Sequence, residues 1–241
     1  MDSDFLSNVE LYFVPRSKTN DLGNDCIETI TLSGEEFNHV VRVMRHDTGD
    51  ELFVTDGEGY IFKCRISSIG KLSLELTKEE TMRYANKYAN ITFCLPKLKS
   101  PDRFEFALEK CVELGVTNFI VYDADKSVAK GDKTDRWNKI LISAMKQSLR
   151  SYLPAIRSVK NLEKISLLEG EKIIFDQEAE LRFTDFQTDL HKKYFFIFGP
   201  EGGFSSRELL ALKSAMKFSL TPNRLRAETA VISAASILSM K

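Results

Sequence analysis

Paired cysteines are missing from this chain. Its four, Cys26, Cys64, Cys94 and Cys111, are scattered, and none stands in a Cys-x-x-Cys. That argues against a zinc site and fits reduced thiols in a cytosolic protein. Long apolar runs are missing too; none approaches the roughly 18 residues of a membrane span. Residues 1–5, Met-Asp-Ser-Asp-Phe, have no basic or apolar leader region, so no signal peptide is expected. A formal net charge of -1 excludes a global basic signature, so any nucleic-acid binding must come from a local patch. No internal repeat or low-complexity tract interrupts the 241 residues, of which 43% are hydrophobic and 29% charged. Such a chain is an ordinary soluble globular protein of one or two domains.

The most telling stretch is Tyr194-Phe195-Phe196-Ile197-Phe198-Gly199-Pro200-Glu201-Gly202-Gly203-Phe204. An apolar run without alternation predicts a strand buried on both faces, as in a parallel sheet. Gly-Pro-Glu-Gly-Gly ends it, and Ser205-Ser206-Arg207-Glu208 reads as a capping box opening a helix. A strand, a tight glycine loop and a helix form the place where open α/β sheets bind ligands. Here too the absences count. No Lys-Ser/Thr follows the glycines, so this is not a Walker loop. Gly-x-x-Gly-Gly is not the Gly-x-Gly-x-x-Gly of dinucleotide folds, and Glu201 would repel a pyrophosphate. The loop suits a ligand held by backbone groups with little negative charge. A plain turn whose glycines supply positive φ is the alternative.

Residues 1–78 read as a first domain. Strands are expected at 9–14, 26–32, 51–55, 60–66 and 72–77, with 56–59 as a hairpin loop. Ser33-Gly34-Glu35-Glu36 suggests a capping box, and the helix behind it puts Phe37, Val40, Val41 and Met44 on one face. Short strands with one helix suggest a small β-barrel. Arg16, Lys18, His39, Arg42, Arg45, Lys63 and Arg65 could form a phosphate-contacting surface, or simply a solvated charged face.

Residues 79–90 are polar and non-periodic and read as a linker. From 91 to 241, strands and helices alternate, which argues a mainly parallel α/β sheet. Strands are expected at 91–95, 118–122, 173–175 and 217–220. Helices are expected from Asp102 as N-cap to Gly115, over 135–151, and at the C-terminus. Trp137, the only tryptophan, reads as core. Three strand-end loops, at 176–177, 199–203 and 221–228, could wall one pocket.

Several motifs together resemble the RsmE family of 16S rRNA uracil-N3 methyltransferases, in the SPOUT superfamily. They are His39-Val40-Val41-Arg42-Val43-Met44-Arg45 with Gly49-Asp50, Asp102-Arg103-Phe104-Glu105, and Glu109-Lys110-Cys111-Val112-Glu113-Leu114-Gly115-Val116. Gln147-Ser148 with Pro154, Gly199-Pro200-Glu201-Gly202-Gly203-Phe204 and Leu225-Arg226-Ala227-Glu228-Thr229-Ala230 complete the set. Two positions depart from the family pattern: Asn223 stands where a basic residue is usual, and Lys126 where arginine is more frequent.

The resemblance implies a PUA-like N-terminal barrel that helps hold RNA, and a C-terminal α/β methyltransferase domain with a trefoil knot. It also implies a homodimer, S-adenosylmethionine as methyl donor and 16S rRNA of the small ribosomal subunit as partner. The expected cofactor site takes in Phe175, Gly199, Pro200, Glu201, Gly202, Gly203, Leu220, Leu225, Arg226 and Thr229. The expected RNA contacts are Arg16, His39, Arg42, Arg45, Lys99, Arg103 and Lys126. Arg226 is the expected catalytic residue, stabilising charge on the uracil oxygens. Glu201 and Glu228 are possible bases, and neither is assigned. A non-catalytic RNA-binding or ribosome-assembly factor on the same fold is the alternative function.

Overall fold

The computed structural model describes residues 9–15, 29–129, 131 and 133–241. The chain divides into two compact units. One takes in residues up to Asn86 together with Met145–Leu153, the other Lys87–Ala144 and Pro154–Lys241.

The first unit is a five-stranded sheet of β1 (Leu11–Phe13), β2 (Thr29–Ser33), β3 (Glu51–Thr55), β4 (Tyr60–Ile69) and β5 (Ser73–Arg83). Its order is β1-β3-β4-β5-β2, antiparallel except where β1 runs parallel to β3. Alternation in β4 is kept: Phe62, Cys64 and Ile66 face one core cluster, and Ile61 faces another. Between Lys63 and Cys64 the register shifts by one, with Glu79 of β5 as the extra residue. β5 runs on to Arg83, so the first five residues of the segment read as a linker are strand. Its polar second half pairs with Tyr60–Lys63 while staying mostly exposed, which hides it from a periodicity argument. The 145–153 segment, read as part of the second domain, is hydrogen-bonded into this unit instead. Ser151 O accepts from Gly59 N at 2.9 Å, and Leu153 N donates to Gly57 O at 2.8 Å.

Ser33 makes no side-chain cap on α1 (Gly34–Asn38), and Glu36 pairs with Lys146 at 2.6 Å rather than closing a capping box. The helix continues as a π-helical turn, His39–Met44, which ends at Arg45 in the left-handed region with φ 60.

The second unit is a six-stranded sheet, all parallel. Its strands are β6 (Ile91–Pro96), β7 (Asn118–Tyr122), β8 (Ala155–Val159), β9 (Glu171–Phe175), β10 (Tyr194–Ile197) and β11 (Met216–Phe218), in the order β11-β9-β10-β6-β7-β8. The helices are α2 (Pro101–Glu113), α3 (Thr134–Gln147), α4 (Glu163–Ser166), α5 (Ser206–Ala211) and α6 (Ala227–Ser239). β10 is buried along its whole length, as its unbroken apolar run predicts. One face packs Cys94, Ile120, Ile174 and Ile197. Around Phe196 gather the rings of Phe93, Phe175, Phe183, Phe186 and Tyr194. Ser100, not Asp102, caps α2, accepting from Arg103 N, because Pro101 takes the first helical position. Glu105 turns to Arg136 at 2.6 Å. Trp137 is core, 5.0 Å from the Phe104 ring. Among the described residues no helix is long and apolar enough to cross a membrane.

Candidate active site

From β6 the chain steps outward to β7 and β8, then returns to the other side of β6 to lay down β9. β10 fills the gap between β9 and β6. The direction of winding reverses there, and loops at the carboxyl ends of strands around such a point form ligand sites. The glycine loop leaves β10 at this place. Loops 176–177 and 219–226 leave β9 and β11 at the same edge, because the three strands are parallel and adjacent.

Two of the three loops are tied directly. Gln177 Nε2 donates to Pro222 O at 3.0 Å, and Asp176 N to Phe218 O at 3.0 Å. Asp176 also receives Lys217 Nζ at 3.7 Å. The floor is aromatic: Phe175 stacks on Phe198 with centroids 4.8 Å apart. The glycine loop follows directly on Phe198. Pro200 is buried, while Glu201, Gly202 and Gly203 are exposed. Gly203 has φ +68 and open space around its Cβ position, so here glycine serves the backbone angle. At Gly202 a Cβ would come within 3.1 Å of Lys126 Cβ, so there glycine serves a close approach. The capping box expected after the loop is present: Ser205 Oγ accepts from Glu208 N, and Glu208 Oε2 from Ser205 N.

Leu220 and Leu225 are half-buried in the 219–226 loop, and Asn223 N donates to Thr221 Oγ1 at 3.4 Å. Arg226 is the exposed N-cap residue of α6, in extended backbone. Two residues on, Glu228 is buried; its Oε1 lies 3.6 Å from Arg103 Nε, and its Oε2 has no hydrogen-bond partner. Thr229 lines a groove of about 480 Å³ between α2 and α6, with Asp102, Arg103, Phe106, Glu228 and Ile232.

The cations expected on RNA sort unevenly. Arg16 lies outside the described residues, as do Lys18 and Cys26. Arg42 and Arg45 are exposed on the π-helical turn, and the His39 ring sits 5.9 Å from Tyr12. Lys63 and Arg65 are held on the sheet by Glu51 at 2.8 Å and Glu79 at 2.5 Å. In the second unit Lys99 is exposed, Arg103 faces Glu228, and Lys126 Nζ donates to Phe204 O at 3.0 Å. Lys126 thus has a partner inside the protein that spacing did not reveal. Sequence reasoning also missed Asp125 and Tyr122, both of which reach the glycine-loop segment.

A profile of the RNA methyltransferase domain matches residues 85–239, and one of the RNA methyltransferase PUA domain matches 32–79. The ribosomal RNA small subunit methyltransferase E of Bacillus subtilis is 31% identical, over 88% of this chain and 90% of its own length. The chain belongs to the ribosomal RNA small subunit methyltransferase E family. Solved structures of this kind share the fold. The crystal structure of a probable rRNA-methyltransferase from Porphyromonas gingivalis is 27% identical, with a TM-score of 0.81 over 96% of this chain and 98% of that one. The Neisseria gonorrhoeae methyltransferase E, bound to S-adenosyl methionine, is 24% identical and shares the fold with a TM-score of 0.82 over 96% and 97%. Against this family the first unit carries the PUA-like domain, and the glycine loop and α6 lie in the methyltransferase domain.

Proposed function

We propose that this protein transfers a methyl group from S-adenosylmethionine to N3 of a uridine in the 16S rRNA of the small ribosomal subunit. The observation that carries the reading is the glycine loop at the switch point, with a second loop that ends in Arg226 leaving the same end of the sheet two strands away. The fit to the cofactor rests on the loop's chemistry. It has no lysine for a phosphate and carries the Glu201 carboxylate, while Gly202 and Gly203 present backbone instead of side chains. S-adenosylmethionine has no phosphate and, when bound, supplies an electrophilic sulfonium methyl. Phe175, residues 199–203, Leu220, Leu225 and Thr229 would hold it, the leucines bracketing the adenine. Much of the acceleration then comes from holding uracil N3 in line with the methyl. As N3 loses its proton, negative charge spreads over O2 and O4, and the exposed Arg226 guanidinium stabilises it. The uridine must be unpaired or flipped to be reached.

Arg42, Arg45 and His39 in the PUA-like unit, and Lys99, Arg103 and Lys126 in the other, are read as the cations facing RNA. The methyltransferase domain is read as carrying the trefoil knot that the family resemblance implies. The chain is read as a cytoplasmic homodimer; the half-exposed Phe106 beside the α2–α6 groove supports a partner there.

The test is transfer of labelled methyl from S-adenosylmethionine to small ribosomal subunits from cells lacking this protein, with the product nucleoside identified by mass. N3-methyluridine is the expected product. Cofactor binding without transfer to subunits or to 16S rRNA would overturn the assigned substrate.

A further inference from the structure

Glu208 does more than cap α5. A capping box uses one carboxylate oxygen; here Ser205 N donates to Oε2 at 2.8 Å. The other oxygen, Oε1, accepts from Asp125 N at 3.0 Å, across 83 residues of sequence. Glu208 is 1% exposed, and a carboxylate is costly to bury unless its oxygens are occupied. Both are.

The bonds run in both directions between loop 123–127 and segment 204–208. Asp125 accepts from Ser205 Oγ at 2.5 Å and from both Arg207 Nε, at 3.2 Å, and Arg207 Nη2. Lys126 Nζ donates to Phe204 O at 3.0 Å, and its Cβ lies over Gly202. The same loop is fastened on its far side: Ser127 Oγ donates to Lys97 O, and Lys97 Nζ pairs with Asp123 at 2.8 Å. Lys99 N reaches Glu201 Oε1 at 3.3 Å. The ends of β6, β7 and β10 are thereby laced together around residues 199–204.

We propose that Glu208 is a positioning residue for methyl transfer. With Asp125 and Lys126 it clasps the glycine loop in its ligand-ready shape and so sets affinity for the cofactor. The proposal rests on placing the cofactor at residues 199–203. A carboxylate is required because two N–H groups converge on it. Glutamine has one acceptor oxygen, so its NH2 would meet the second N–H, and a buried donor would be left unpaired. Lys126 adds a roof over Gly202 and an anchor at the loop's exit.

The test compares the parent protein with Glu208→Gln, Lys126→Met, Lys126→Arg and Gly203→Ala. S-adenosylmethionine binding is measured by calorimetry without RNA, and KM and kcat by methyl transfer to small subunits. Glu208→Gln is expected to raise both Kd and KM for S-adenosylmethionine roughly tenfold while kcat at saturating cofactor changes little. Lys126→Met is expected to weaken cofactor binding in the same sense, and Lys126→Arg, which can still reach Phe204 O, to restore it. If Glu208→Gln fails to fold, the exposed Lys126 pair decides alone. A lower melting temperature with unchanged cofactor Kd in the folded variants, or a fall in kcat alone, overturns the proposal. Gly203→Ala separates the two levels. If it leaves cofactor binding intact, the placement of the cofactor is wrong; if it weakens binding while Glu208→Gln and Lys126→Met do not, only the clasp is wrong.

Discussion

The phenol of Tyr122, the last residue of β7, donates to the carbonyl of Phe198 at 2.6 Å, immediately before the glycine loop. Both residues are buried, and burial holds the phenol well above its ordinary pKa, so it stays a donor at any working pH. Tyr122→Phe keeps the ring and strands the carbonyl. The expected cost is about 1–3 kcal/mol of stability, measured by denaturant unfolding, together with weaker cofactor binding. An unchanged midpoint would mean the carbonyl finds another donor.

Arg226→Ala removes the guanidinium while leaving α6 to start from the same extended residue. Cofactor affinity is expected to stay within a few-fold, and methyl transfer to fall by about 10²–10³, the usual loss for a group that stabilises developing negative charge. Single-turnover rates on small subunits, read beside a calorimetric Kd, separate the two quantities. Transfer at the parent rate would remove Arg226 from the chemistry.

Arg42 and Arg45 project from the π-helical turn of the PUA-like unit. If each neutralises a phosphate, changing either to alanine weakens RNA binding. It also lowers the slope of log K against log salt by roughly 1. Titrations of an rRNA fragment over a salt series give that slope. Lys63→Ala, at a cation already paired with Glu51, should leave it unchanged.

Hydrogen bonds first from Arg207 and then from Ser205 hold the Asp125 carboxyl below its ordinary range. A carboxylate depressed in the folded state contributes stability above its unfolded pKa and loses that contribution as pH falls through the folded value. Asp125's share of the clasp is therefore whole at neutral pH and is lost as pH falls below the ordinary aspartate range and through its lowered folded value. Asp125→Asn is expected to be less stable than the parent at pH 7 and to lose less on acidification, with denaturation midpoints between pH 7 and pH 3 as the readout. Parallel curves for the two proteins would show that Asp125 contributes nothing.

Local signals were readable where a few neighbouring residues determine the outcome. The unbroken run at 194–198 became a strand buried on both faces, and Ser205 and Glu208 made their capping box. Gly115 ended α2 with φ 94. Where a distant partner decides, the reading failed. Ser33 and Glu36 have the same pattern as a capping box, yet Lys146 draws Glu36 away. β8, with two exposed and three half-buried residues at the sheet edge, carries too little apolar periodicity to announce itself. The register shifts between β4 and β5, with Glu79 and Ser67 as the extra residues, exist only in the pairing of the two strands. At the candidate site, the strand–loop–helix pattern pointed to the glycine loop and the motif resemblance to Arg226, whereas the bonds of Asp125 and the second oxygen of Glu208 depend on residues brought together by the fold.

The insertion of β10 between β6 and β9 also bears on how the protein is made. A nascent chain that stops before Tyr194 has both flanking strands but not the one that joins them, leaving two open sheet edges. Such edges recruit other chains. The methyltransferase unit therefore closes only once Tyr194–Ile197 has been made, and products truncated before it are expected to aggregate or be degraded.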